Sequence, residues 1–131
     1  MGVFKQTDQS GKKIPSSELS GLVSDVRASF AFRKQLETAR ELKKEAVELA
    51  DNGKKAGAAE KFFQAGSSFL EASDYAESKE GLATCFDICS EAVDCFERAE
   101  SNGYAKLRLK TLLSKARGKK SKAAELMRSY A

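Results

Sequence analysis

The chain has no histidine, no tryptophan, one proline (Pro15) and only three cysteines in 131 residues. Losing histidine removes the side chain best suited to proton transfer near neutrality and the commonest metal ligand. No glycine-rich phosphate loop or nucleophile elbow replaces it, and the carboxylates fall mainly at charged helical positions rather than in an apolar setting. The sequence therefore points away from catalysis, and it implies no metal, cofactor or small-molecule substrate. Cys85, Cys89 and Cys95 are odd in number, lack a CxxC spacing and would leave a zinc ion short of a fourth ligand, so buried reduced thiols are expected. No apolar run approaches the ~18–20 residues of a membrane span. The start, Met1-Gly2-Val3-Phe4-Lys5, lacks the apolar segment of a secretory signal. Gln6 stands where an acylation motif on Gly2 would want Ser or Thr, and Asp8 and Glu18 interrupt the early basic residues of any mitochondrial leader. A cytoplasmic location is expected, with peripheral association at a membrane left open.

What the chain does have is charge, unevenly distributed. The net value of +4 conceals two opposed halves. From Glu41 to Glu100 there are fourteen acidic and seven basic residues; from Ser101 to Ala131 there are nine basic residues and one acidic, Glu125. Such a dipolar chain offers either half to a partner of opposite sign, or the halves to each other.

Residues 1–15 show no periodicity and read as a flexible basic arm. Ser16-Ser17-Glu18 is a helix-start signal, followed by Leu19, Leu22, Val23 and Val26 at helical spacing. The apolar phase shifts at Ala28–Phe32 and resumes as Leu36, Ala39, Leu42, Ala46 and Leu49, which fits one bent helix or two. Asp51-Asn52-Gly53 is a stop, with Gly53 suited to the left-handed cap. From about Ala56 to Tyr75 a stripe of Ala58, Phe62, Ala65, Phe69, Leu70, Ala72 and Tyr75 alternates small residues with rings, the pattern of helices that approach closely. After a polar hinge over Asp74–Glu80, Leu82, Cys85, Phe86, Cys89, Ala92, Val93, Phe96 and Ala99 form a third stripe, ended by Ser101-Asn102-Gly103. The basic tail carries Leu107, Leu109, Leu112, Leu113 and Ala116, a break expected at Gly118, and a short helix with Ala123, Leu126, Met127 and Tyr130. The fold class is all-α: an antiparallel three-helix bundle over 16–103, preceded by the arm and followed by a basic amphipathic helical tail over 104–131.

The order Ala58, Phe62, Ala65, Phe69-Leu70, Ala72, Tyr75, followed by a helix ending Cys95-Phe96-Glu97-Arg98-Ala99-Glu100, resembles the MIT (microtubule-interacting and trafficking) domain over about 32–102. Lys55 and Cys95 stand where that family commonly has aromatic residues, and the hinge before Leu82 is slightly longer. A weaker resemblance runs to TPR hairpins and the soluble NSF-attachment proteins, because Ala58, Phe62 and Ala65 recur 34 residues later as Ala92, Phe96 and Ala99.

The MIT resemblance implies a non-catalytic interaction module that docks a helical peptide between its second and third helices, in ESCRT-type membrane trafficking. Carried over by position, Phe96 would line that groove and Glu97 and Glu100 would pair with a basic ligand residue; Val93 and Asp94 are added from their place on the same helix. The acidic positions equally fit an ordinary solvated helix face, and Phe62, Phe69, Phe86 and Phe96 fit a core. The alternatives are a structural subunit of a larger assembly built on TPR-like hairpins, and a binder of anionic membrane or nucleic acid through Lys106, Arg108, Lys110, Lys115, Arg117, Lys119, Lys120 and Lys122. The leucines of the tail argue against a purely electrostatic arm. Contact with another protein ranks first, an anionic membrane surface second and nucleic acid third.

Overall fold

The computed structural model describes residues 16–130, with side chains described from residue 23 onward; the arm over 1–15 lies outside the described residues. Four helices account for the regular structure: α1 (Ser16–Asp51), α2 (Lys55–Tyr75), α3 (Leu82–Ser101) and α4 (Leu107–Ser129). A single π-helical turn, Ala76–Glu80, links α2 to α3. No strand occurs among the described residues. The described residues thus form an all-α, four-helix bundle.

The chain divides into two compact units at Arg33. In the first, the phase shift at Ala28–Phe32 does not break the backbone. Neither glycine nor proline occurs between Leu22 and Asn52, and α1 runs through as one helix. On its described part Val23, Val26 and Phe30 are exposed, at 44, 68 and 69%.

The second unit, Lys34–Ala131, holds the bundle. Two of its turns have the same construction. After α1, the Gly53 N–H donates to the Ala50 carbonyl (3.0 Å) and the Lys54 N–H to the Leu49 carbonyl (2.8 Å); after α3, Gly103 and Tyr104 do the same to Glu100 and Ala99 (both 3.0 Å). This double bond pattern satisfies the last helical carbonyls but requires a left-handed residue, and Gly53 (φ 77°) and Gly103 (φ 99°) supply it. The expected stops at Asn52-Gly53 and Asn102-Gly103 follow from that chemistry.

Small residues let α2 and α3 approach closely. A Cβ on Gly66 would lie 2.8 Å from two atoms of the Phe96 ring. Ala58, Ala65, Cys89, Ala92, Cys95, Phe96 and Ala99 are fully buried, with Phe62 and Phe69 each 2% exposed. Burying rings of this size contributes about 2–3 kcal/mol apiece before chain entropy is counted. The recurrence at 34 residues therefore relates two neighbouring helices, α2 and α3, rather than every second helix. The last part of α1 closes the other side with buried Leu36, Ala39 and Ala46. Lys43 donates to Glu91 (2.8 Å) and pairs with Asp94 (3.2 Å) on α3, and Gln35 donates to Glu71 (2.8 Å) on α2.

The break expected at Gly118 does not occur; α4 is continuous from Leu107 to Ser129. Gly118 has open space where its Cβ would be. One solvent-facing glycine weakens a helix by only about 1 kcal/mol, and packing of the neighbouring Leu113, Ala116 and Ala123 carries the helix through it.

Candidate functional site

The basic tail is folded onto the acidic hairpin. Leu109, Leu113, Ala116 and Ala123 recur on one face of α4 and are buried, chiefly against α3 and also against α2. Just before the helix the Tyr104 ring stacks on Phe63 of α2 (4.4 Å between centroids, 8° between planes), and the Arg108 guanidinium lies 5.9 Å from the centre of the Phe63 ring. Further along, Lys119 donates to the Ser73 hydroxyl (2.8 Å) and to Asp74, with Glu77 at 3.6 Å. Burial alone would lower the pKa of Lys119, but the hydrogen bond and charge of Asp74 more than reverse this and raise it above the ordinary lysine value. Arg117 pairs with Glu97 of α3 at 2.9 Å. α4 therefore covers the groove between α2 and α3, the groove that the family resemblance assigns to a partner helix.

The five acidic and apolar positions singled out on α3 are distributed over different surroundings. Phe96 is fully buried against Gly66 and 5.8 Å from the Phe63 ring. Asp94 turns toward α1, where it pairs with Lys43, and toward Arg98 (3.2 Å each). Glu97 faces α4 and holds Arg117, Val93 is 8% exposed, and Glu100 is exposed. The basic set divides too. Lys119 and Arg117 are used in packing, whereas Lys106, Arg108, Lys110, Lys115, Lys120 and Lys122 make no ion pair among the described residues.

What the structure brings together is a combination of the two sets. Val93 and Glu97 of α3 and Arg117 and Lys120 of α4 line one groove of about 430 Å³, on the side of the α3–α4 pair away from the Lys119 anchor. Phe86 and Ala124 add to its apolar floor, and Ser121 stands on its edge. Phe86 is half-buried, so it lines this groove rather than being the core residue its spacing suggested. Lys120 lies 5.5 Å from the centre of the Phe86 ring. The groove is thus mixed: Phe86, Ala124 and the nearly buried Val93 give it an apolar strip, while Ser121, Lys120 and the Arg117–Glu97 pair make its accessible lining more polar than apolar.

Cys85, Cys89 and Cys95 are buried and lie outside this groove. Cys85 is pushed up to about 11 and Cys95 to about 12, chiefly by desolvation. Among the described residues no three His, Cys, Asp or Glu side chains stand close enough together to hold a metal ion, and no helix is long and apolar enough to cross a membrane.

Sequence reasoning missed Phe86 and Ala124 as groove residues, since both sit at the edge of an apolar stripe where periodicity does not separate core from rim. It also missed Ser73, a fully buried polar side chain that accepts from Lys119 and donates to the Leu70 carbonyl (2.5 Å). Nothing in its neighbours, Ala72 and Asp74, marks it. The chain matches no family model, no curated protein and no solved structure in comparisons of sequence and fold.

Proposed function

We propose that this chain is a non-catalytic protein-interaction module that docks a helical segment of another protein in the groove between α3 and α4. The observation that carries the reading is the state of the two inter-helix grooves: α4, packed chiefly on α3, covers the one between α2 and α3 by reaching Phe63, Ser73 and Asp74, and the next one is open, with Phe86, Val93 and Ala124 in its lining. Two antiparallel helices with a shallow apolar seam between them match the ridges of a third helix, as α4 itself illustrates on the preceding pair. The MIT-like and TPR-like residue patterns support the same class of function. They also support a role in ESCRT-type membrane trafficking, with the chain working at the cytoplasmic side of a membrane.

The test is a titration of the full chain with helical peptides, read by fluorescence anisotropy. Saturable binding that is abolished by filling the groove, with the fold unchanged by circular dichroism, is the expected result. Binding by the chain to none of a broad set of helical peptides would overturn the reading.

A second reading has its own observation. Val23, Val26 and Phe30 form an exposed apolar i, i+3, i+7 series on α1, as a subunit that is covered in a larger assembly would. It predicts that these side chains lose solvent access in the assembled state.

A further inference from the structure

The α2–α3 groove with α4 in it is a worked case of how this bundle accepts a helix. The acceptor supplies an apolar seam between carboxylate-bearing rims: Asp74 and Glu77 at the end of α2 and beyond it, Glu97 on α3. The occupant supplies Leu109, Leu113, Ala116 and Ala123 for the seam and Lys119 and Arg117 for the rims. The small and branched residues permit close approach, and the charges fix the register.

The open α3–α4 groove has a narrower apolar strip and, once Glu97 and Arg117 have paired, one unpaired cation, Lys120, in its lining. Its floor is again aromatic and aliphatic, from Phe86, Val93 and Ala124. The rim contributed by α4 is cationic along its length. Lys110, Arg117, Ala124 and Arg128 share one side of the helix by their spacing, with Lys120 beside them, and the only carboxylate on α4 is Glu125. On the facing wall Glu97 is matched by Arg117 at 2.9 Å. Lys120 has the Phe86 ring for a neighbour and makes no ion pair among the described residues, although Glu97 lines the same groove. From Val93 to Phe86 the floor covers two helical turns, about 10 Å of a partner helix.

From this we infer that the occupant of the α3–α4 groove is an acidic amphipathic helix, with small or branched apolar residues at i, i+4 and i+7 and Asp or Glu flanking them to meet Lys120 in the groove and Arg128 one turn beyond Ala124. The inference rests on the helix-docking reading above and names its partner class. A phosphate backbone or a membrane surface would engage the cations but would leave Phe86 and Val93 without a match. An extended peptide finds no strand edge among the described residues to pair with. A second copy of this chain offers an apolar series at Val23, Val26 and Phe30, but its neighbouring charges, Asp25, Arg27 and Arg33, are not predominantly acidic.

The experiment is a selection from a displayed library of sixteen-residue helical peptides, against the full chain, in which Asp/Glu and Lys/Arg are equally frequent at every polar position. The expected result is enrichment of Asp and Glu beside an apolar i, i+4, i+7 series. Affinity of the enriched peptides should fall about tenfold or more in Lys120→Glu, through like-charge repulsion at the rim, and as far in Ala124→Glu, which fills the groove, with both variants melting as the parent does. A single-stranded RNA and a phosphatidylserine vesicle added as competitors should leave the peptide bound at moderate salt. Enrichment of basic or uncharged helices that still depend on Ala124 would overturn the acidic partner and leave the docking module standing. Selection of no helix would overturn both. Acidic helices unaffected by either substitution, or displaced by the RNA or the vesicle, would overturn the assignment to this groove. Should either variant fail to melt normally, Ser121→Glu, at an exposed position lining the same groove, carries the same prediction.

Discussion

Replacing Gly66 by alanine isolates the packing that holds α2 against α3. In a helix interior the substitution should stabilise by about 1 kcal/mol, because alanine loses less backbone entropy on folding. At Gly66 the added methyl carbon would lie 2.8 Å from two Phe96 ring atoms and 3.1 Å from a third. These belong to a rigid ring with no exposed surface, so the ring or the helix must move. Overpacking of this kind costs about 1–3 kcal/mol, which outweighs the propensity gain over most of its range. The net expectation is a loss of about 1 kcal/mol, or roughly 3–6 °C in Tm for a domain of this size. Gly118→Ala is the matched control: open space surrounds the new methyl, and the variant should melt roughly 3–6 °C higher through the same propensity term alone. Thermal unfolding by circular dichroism on both variants gives the comparison. A Gly66→Ala protein that melts at or above the Gly118→Ala protein would refute close α2–α3 packing through Phe96.

Lys119→Met keeps the stem packing while removing the contacts to Ser73, Asp74 and Glu77, and should destabilise by about 1 kcal/mol, since Asp74 and Glu77 are well exposed to solvent and screen the pairing. The folded-state pKa of Lys119 is raised, so its contribution is complete below the unfolded value near 10.5 and disappears only as pH rises through the higher folded one. The difference in Tm between parent and variant should therefore be flat from about pH 6 to 9 and shrink above it. Cys85 and Cys95, held up to about 11 and 12, should react slowly with a thiol reagent in the native protein at about pH 8 and rapidly after denaturation; fast native labelling of either would contradict their burial. Leu113→Ala, at a position 4% exposed on the inner face of α4, should cost about 2–5 kcal/mol, and unfolding monitored at both α2 and α4 should show whether the two melt together.

Much of the architecture was legible because periodicity and turn chemistry pointed the same way. The stripe from Ala58 to Tyr75 lies on one helix, and the Asn-Gly pairs close helices with the left-handed glycine their stops require. The Gly118 break misled for a physical reason: propensity weighs a solvent-facing glycine the same wherever it stands, whereas packing of Leu109, Leu113 and Ala116 on α3 decides the outcome in this helix. The groove was harder to read. Its residues come from two helices, α3 and α4, placed by long-range contacts: Arg117 to Glu97 of α3, 20 residues away, and Lys119 to Asp74 of α2, 45 residues away. Charge asymmetry showed that the tail and the hairpin suit each other, but no local pattern reveals that folding the tail back consumes one groove and creates another. Phe86 carries the same lesson in one residue: its spacing is that of a core ring, and only the position of α4 makes it part of a groove lining.

The most direct test of docking in the α3–α4 groove is a backbone-amide and methyl chemical-shift map of the full chain, recorded as a bound helical peptide is titrated in. The account predicts shifts concentrated at Phe86, Val93, Ser121 and Ala124, with Phe63, Ser73 and Lys119 unmoved because α4 stays seated. Shifts running along Phe63 and Ser73, together with release of α4, would contradict it by making the α2–α3 groove the working surface and α4 its displaceable cover.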